Sequence, residues 1–209
     1  VTAPINSTLE FTGTNNQTYH EGSTALDLQN IIINKTTGTL TLQSNMNVSN
    51  TGSLTLTGGI VVTGIYNMNI KNVNTTAIVG GGSTSYIQGN LIRATNGTVA
   101  TYQFPVGKSG KGYEAVDINF TNTSNVTELM ARFDTWPGTV SMGPVSNDCG
   151  GVNYGLLPLF NSGYWTITST PAIATGNYNM TIASTGQTNA SINAGTTIVK
   201  STDNGTTWG

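Results

Sequence analysis

The clearest alternation of apolar and polar positions runs from Ser85 to Val106, through SYIQGNLIRATNGTVATYQFPV. Ile87, Leu91, Tyr102, Phe104 and Val106 point one way, and Asn96-Gly97 between the two runs is a strong hairpin signal. A two-residue type I′ turn there predicts that Arg93 faces Ala100, Leu91 faces Tyr102, Gly89 faces Phe104 and Ile87 faces Val106, on one buried face. Arg93 is then near the tip, where its charge reaches water, and Gly89 leaves room for the ring of Phe104.

Upstream, Leu9 and Phe11 are two apart and suit a short strand. From Ala25 to Asn72 the runs are short and recur: Leu26 to Ile33 leads in, then Gly38-Thr39-Leu40-Thr41-Leu42 returns as Gly52-Ser53-Leu54-Thr55-Leu56, an offset of about fourteen residues. Tyr66-Asn67-Met68-Asn69-Ile70 is a looser echo. Within each run the period is two, with Thr and Asn between the apolar positions, and no helical pattern intervenes. Such strands read as rungs of a short β-solenoid or as a meander. Gly80-Gly81-Gly82-Ser83 interrupts them. Downstream, Val116 to Phe120, Leu129 to Phe133, Trp165 with Ile167, and Tyr178 to Ile182 predict half-buried strands. The expected fold is all-β: solenoid or meander rungs over 1–84, followed by an antiparallel β-sandwich over 85–209. The stretch from Pro137 to Gly163 has no clear pattern, and a loop that long packs on its domain or binds something.

Composition narrows the function classes. Charged residues make up 8% of the 209 positions, against about a quarter in ordinary domains. Asn and Thr together supply roughly 30%, so solubility rests on amides and hydroxyls, as in secreted repetitive proteins. A net charge of −2 with scattered Lys and Arg argues against nucleic acid. No apolar run approaches a membrane span. The chain opens on VTAPINST instead of a signal peptide, so a secreted protein would be present here as a mature form or an excised segment, and the abrupt end at Thr207-Trp208-Gly209 favours a segment.

Candidate chemistry is sparse. Cys149 is the only thiol and His20 the only histidine, which excludes a disulfide framework, a multi-cysteine zinc site and a paired-histidine metal site. Gly107-Lys108-Ser109 has the ending of a phosphate-binding loop, but Tyr102 stands where the first glycine belongs, so it reads as a lysine-bearing turn. Asp27, Glu114, Asp117, Asp134 and Asp148 are dispersed carboxylates; a glycosidase needs only two that meet, but ordinary surface carboxylates are the favoured reading. Asp148, in the long loop, is the one metal candidate, for calcium. No catalytic residue and no cofactor site is assigned. The paired threonines Thr39/Thr41 and Thr55/Thr57 invite an ice-binding reading, but only two rungs carry them. About a dozen N-x-S/T sequons occur, including Asn34, Asn96, Asn125 and Asn179, about twice the chance number. Asp203 and Gly205 belong to Ser201-Thr202-Asp203-Asn204-Gly205-Thr206-Thr207-Trp208, which matches S-x-D-x-G-x-T-W and resembles the Asp-box turns of sialidases, where they lie away from catalysis. With Asn96 and Gly97, these are the expected structural turns.

Several of these runs together resemble the β-strand-repeat surface proteins of Bacteroidota, large adhesins exported by the type IX secretion system. The residues that carry the resemblance are Ile31-Ile32-Ile33-Asn34 ahead of Gly38-Thr39-Leu40-Thr41-Leu42, then Tyr86-Ile87-Gln88-Gly89-Asn90-Leu91-Ile92-Arg93, Tyr102-Gln103-Phe104-Pro105-Val106-Gly107 and Gly163-Tyr164-Trp165. The resemblance implies an extracellular, non-enzymatic structural or adhesive repeat module, with neighbouring repeats and surface glycans as its partners. The alternative is a carbohydrate-binding or carbohydrate-active β-helix module.

Overall fold

A computed structural model describes residues 6–135, 163–183 and 200–201 of the chain. In chain order the strands are β1 (Thr8–Gly13), β2 (Gln17–Tyr19), β3 (Asp27–Leu42), β4 (Met46–Ile70), β5 (Ile78–Gly80), β6 (Ser85–Ala94), β7 (Ala100–Phe104), β8 (Gly107–Lys108), β9 (Gly112–Tyr113), β10 (Val116–Phe120), β11 (Glu128–Asp134), β12 (Tyr164–Thr170) and β13 (Tyr178–Ile182), with one 3-10 turn at Thr75–Ala77. The fold is all-β: a β-solenoid of about four turns, joined to antiparallel sheets.

The solenoid is built by parallel pairing of successive turns. β1 and β2 lie on β3, β3 on β4, and β4 on β5 and β6. Paired residues are separated by between 20 positions (Asp27 to Asn47) and 26 (Gly59 to Ser85). The long strands stay extended around corners; β4 runs beside itself, with Lys71 N donating to Val48 O at 3.0 Å. Three inner faces result. Leu9, Ile31, Leu54 and Ile78 stack in one column, and Phe11, Ile33 and Leu56 in the next. Leu40, Val61 and Ile87 stack on the second face, and Met68 with Leu91 on the third. Most of these side chains are fully buried, so each apolar rung covers the one beneath it.

The fourteen-residue echo is therefore not the turn of the solenoid. Gly38 to Leu42 and Gly52 to Leu56 are alike because each fills an inner face, but the faces differ: Leu40 lies beside Val61, and Leu54 lies between Ile31 and Ile78. Nor does the solenoid stop at 84. The triple glycine sits at a corner, where Gly81 N donates to Leu56 O at 3.0 Å, and β6 continues in parallel register on β4 as the last turn. The antiparallel part begins after Ala94, on the same apolar core.

The predicted hairpin is replaced by an arch. β6 is flanked by β4 and β11, whereas β7 pairs with β10 in a separate three-stranded sheet of order β13-β10-β7. The inward set is the expected one, with Ile87, Leu91, Arg93, Tyr102, Phe104 and Val106 all at 0% exposure. Leu91, Arg93, Tyr102 and Phe104 meet across the core between two layers instead of side by side within one, whereas Ile87 does lie beside Val106, through a single bridge that is parallel and not antiparallel, with Ile87 N donating to Pro105 O at 2.9 Å. A type I′ turn requires positive φ at both central residues. Among the described residues only Asn6 has positive φ apart from glycines, so Asn96 does not adopt it, although Gly97 does at +67°. The Asn96 side chain instead accepts from Thr98 N and Oγ1 and from the Tyr102 hydroxyl. Thr95 N and Oγ1 donate to Thr127 O and Val126 O, so the chain after β6 is tied to the segment leading into β11. Gly89 also differs from expectation: a Cβ there would lie 2.0 Å from Thr63 Oγ1, not against Phe104.

β11 pairs with both β6 and β12, extending the solenoid sheet antiparallel to order β1-β3-β4-β6-β11-β12. Tyr102 meets Phe120 edge to face in the core, and Phe133 meets Trp165. The strands expected at Val116, Leu129, Trp165 and Tyr178 are β10 to β13.

Candidate functional site

Among the described residues, an open cleft of about 520 Å³ lies at the corner between the first and second solenoid faces. Its origin is a break in register. Asn34 pairs with Gly58 and Thr39 with Ile60, so Lys35 to Gly38 on β3 arch past the single residue Gly59 on β4. Two glycines permit this crossing: a Cβ on Gly58 would lie 2.5 Å from Lys35 O, and one on Gly59 2.6 Å from Lys35 Cβ. The arch carries Thr36 and Thr37 outward, and Thr84 of the next turn lies across from it, with Gly59 N donating to Thr84 O at 2.9 Å. The same slip forms other corners of the solenoid, where residues 49–52 pass Gln29 and residues 63–66 pass Gly89.

The lining is polar and presents no charged head group. Thr36, Thr37, Thr57 and Thr84 supply hydroxyls, Asn34 an amide, and Ile60 an apolar patch. Thr37 Oγ1 donates to Thr14 O and Thr57 Oγ1 to Ile33 O, which leaves each oxygen able to accept. Lys35 is the one charged residue in the wall, but it is only 2% exposed. Its Nζ turns under the arch to Asn15 O at 2.7 Å and Gln17 Oε1 at 2.9 Å, in the turn below.

Outside the cleft, amides and hydroxyls are laddered between turns. Asn45, Asn67 and Asn90 form one such row, Asn47 and Asn69 another, and Gln29 bonds both Ser49 and Thr51. Ser53 bonds Asn30, and Asn34, in the cleft wall itself, donates to Glu10. The paired threonines do not form a regular array. Thr41 lies in the row Thr18, Thr41, Val62, Gln88 of one face, and Thr55 in the row Glu10, Ile32, Thr55, Val79 of another.

The other candidates fall in separate places. Asp27 pairs with Lys71 at 2.6 Å across two turns, and Asp134 pairs with Arg132 and Lys108. Glu114 is buried, and Trp165 Nε1 donates to its backbone oxygen at 2.8 Å. Burial raises the Asp117 carboxyl above its usual range, while the Arg93 charge opposes this. His20 is exposed, with Nδ1 3.4 Å from Gln43 O. Among the described residues no three His, Cys, Asp or Glu side chains gather as a metal site. Lys108 and Ser109 stand in and beside the short β8-β9 hairpin, so the Gly107-Lys108-Ser109 stretch is a lysine-bearing turn. Asn125 donates to Ala172 O and accepts from Ala174 N and Thr175 N, which employs that sequon amide in joining two loops. Asp148, Cys149, Asp203, Gly205 and the stretch 137–162 lie outside the described residues.

Arg93 overturns the expectation that its charge reaches water. It is fully buried, donating to Gln103 O, Asn74 O and Thr75 O, with its guanidinium carbon 5.3 Å from the Tyr102 ring centre. Burial lowers its pKa to about 10, with the Tyr102 and Asp117 charges opposing the shift. Lys35 is a second buried cation that the sequence reading missed. The signal was available in both cases: Ile31, Ile33, Lys35 and Ile87, Leu91, Arg93 each keep inward parity on one strand.

Among the described residues no helix is long and apolar enough to cross a membrane. Comparison with protein-family models, curated proteins and solved structures found no match to the chain.

Proposed function

We propose that this chain is a structural and adhesive module of a large secreted cell-surface protein, acting as one repeat unit among others and carrying no enzymatic activity. The observation that carries the reading is the outer surface of the solenoid, where laddered Asn, Gln, Ser and Thr side chains run from turn to turn. Such a surface offers many equivalent hydrogen-bonding groups at the strand spacing, with little net charge to select a partner by sign. A stack of rungs also has ends on which neighbouring repeats can build. The resemblance to Bacteroidota surface adhesins supports the same reading and implies an extracellular location.

A second reading, a carbohydrate-binding module, is favoured by the polar corner cleft. The two readings share a ligand chemistry and differ in whether binding resides at one place. A carbohydrate-active enzyme is less well supported, because Asp27 and Asp134 are engaged by cations. Intact mass and electron microscopy of the native material test the adhesive reading. Long assemblies of repeating units, and polysaccharide-coated surfaces retaining the protein, are the expected results. Discrete monomers that hydrolyse a polysaccharide, with turnover abolished by one carboxylate substitution, would overturn it.

A further inference from the structure

We propose that the cations of the β8-β9 hairpin and of β11 form a docking surface for an acidic polysaccharide, one bearing uronate carboxylates or sulfate esters. This assignment deepens the adhesive reading and rests on it for the source of the ligand. The chain has seven Lys and Arg residues in 209. Lys35 and Arg93 are buried, and Lys71 is held by Asp27. Of the four that remain, three gather here. Lys108 ends β8, Lys111 closes the same turn by donating its N–H to Lys108 O at 2.9 Å, and Arg132 lies on β11, which packs beside β8. Asp134 is the carboxylate they share: Arg132 meets it through Nε, and Lys108 Nζ stands 3.6 Å from its Oδ1, too far for a hydrogen bond. Glu114, just after β9, is fully buried, and Glu128 stands at the opposite end of β11. The solvent surface here therefore carries an excess of two positive charges, on a chain whose net charge is −2. Among the described residues the Lys111 ammonium has no partner, and the Arg132 fork has more donors than one carboxylate can accept.

The hairpin that carries the lysines is fixed to the fold. Ser109 N donates to Gln88 Oε1 at 2.8 Å, Glu114 N donates to Val106 O at 2.9 Å, and a Cβ on Gly107 would lie 2.3 Å from Gly112 O. Gln88 is also the last member of the uncharged outer row Thr18, Thr41, Val62, Gln88. An extended glycan lying on that row passes from uncharged side chains onto the cations, where its anionic groups take the donors that Asp134 leaves. Other polyanions fit less well. Nucleic acid calls for a longer basic stripe with rings to stack on, and Phe133, the ring next to Arg132, is fully buried. An anionic bilayer is held by clusters of roughly 4–8 cations or by apolar side chains that insert, and none of the large exposed apolar residues lies within 107–112 or 128–134.

The test is binding of the whole chain, at low salt, to beads coated with polygalacturonate, dextran sulfate or neutral dextran. Tighter binding to at least one acidic polymer than to dextran is expected, weakening about tenfold or more as salt rises toward about 0.3 M. Lys108→Gln combined with Lys111→Gln should weaken it at least about threefold, since exposed ion pairs are individually weak. Lys71→Gln, which removes the cation paired with Asp27, should leave it unchanged. Asp134→Asn should strengthen binding about twofold or more, because it removes the carboxylate that competes for both cations. That gain separates an anion-binding surface from an ion cluster that serves only the fold. Lys111→Gln alone, which breaks no side-chain contact among the described residues, should still weaken binding and carries the test if another variant fails to fold. Equal retention on neutral dextran, unchanged binding in the folded double variant, or no gain in folded Asp134→Asn overturns the assignment. So does tighter binding to duplex DNA or to phosphatidylglycerol vesicles than to either acidic polymer. The two levels remain separable: adhesion to neutral polysaccharide without preference for the acidic polymers overturns this surface and leaves the adhesive reading standing. Adhesion to none of the polymers overturns both.

Discussion

Arg93→Met keeps the aliphatic stem and removes the guanidinium fork, so it isolates what the buried charge does. The fork donates to Gln103 O at 2.9 Å on β7, and to Asn74 O at 2.9 Å and Thr75 O at 3.1 Å at the 3-10 turn, tying the last solenoid turn to the antiparallel layer. Hydrogen bonds from a charged donor contribute about 1.5–3 kcal/mol each, so their loss alone costs roughly 4–9 kcal/mol. Against this, methionine escapes the desolvation of the guanidinium, which amounts to several kcal/mol. The burial that lowers its pKa to about 10 reports that penalty, although the group stays charged at neutral pH. The three backbone carbonyls left without this donor cost about 1–3 kcal/mol each, which outweighs the relief, and a net loss of about 3–5 kcal/mol is expected. At about 2–4 °C per kcal/mol for a chain of this size, the melting midpoint should fall by about 6–20 °C. Urea unfolding followed by tryptophan fluorescence measures it, and hydrogen exchange should show the loss concentrated at residues 74–77 and 101–104. A variant within about 1 kcal/mol of the parent would refute the reasoning, since desolvation would then have cancelled the hydrogen bonds.

Gly52→Ala should prevent folding or cost more than about 3 kcal/mol, because its Cβ would lie 1.8 Å from Gln29 O; Gly22→Ala, with nothing within 4 Å, should change stability by less than about 1 kcal/mol in parallel urea titrations. Gly97→Val should destabilise by at least about 1–3 kcal/mol, from its φ of +67° and a Cβ 2.3 Å from Ser124 O, and unchanged melting would contradict that geometry. Burial raises the pKa of Tyr19, Tyr86 and Tyr113, so the unfolded chain ionises first. Their contribution is present below about pH 10 and lost as pH rises through the folded values, and the urea midpoint should fall there despite the opposite contribution from Arg93. Asp117 has a raised carboxyl pKa, so its contribution is present below the usual carboxylate value and lost as pH rises through the folded one. Asp117→Asn should therefore raise the melting midpoint at neutral pH and leave it unchanged in acid.

The inward and outward parity of nearly every strand was legible from residue types alone, because a pleated strand sends alternate side chains to opposite faces whatever it pairs with. That is why Leu40, Leu54, Tyr102, Phe104 and Ile118 are where the pattern put them, and why the all-β solenoid could be anticipated. Pairing was a different matter. An arch and a hairpin have the same inward pattern across Asn96-Gly97, and the choice was made by β11, which occupies the edge of β6 that β7 would have taken. The echo of Gly38 to Leu42 in Gly52 to Leu56 likewise reported a shared requirement for burial; the spacing of turns, between 20 and 26 residues, depends on corners whose lengths vary. The cleft was hidden for the same reason, since it arises where the pairing of β3 and β4 slips over Gly58 and Gly59. Sequence alone determined which side of each strand is buried, a local consequence of chain geometry. Only the tertiary structure decided which strands lie side by side, because that is settled by competition among distant segments for the same hydrogen-bonding edges.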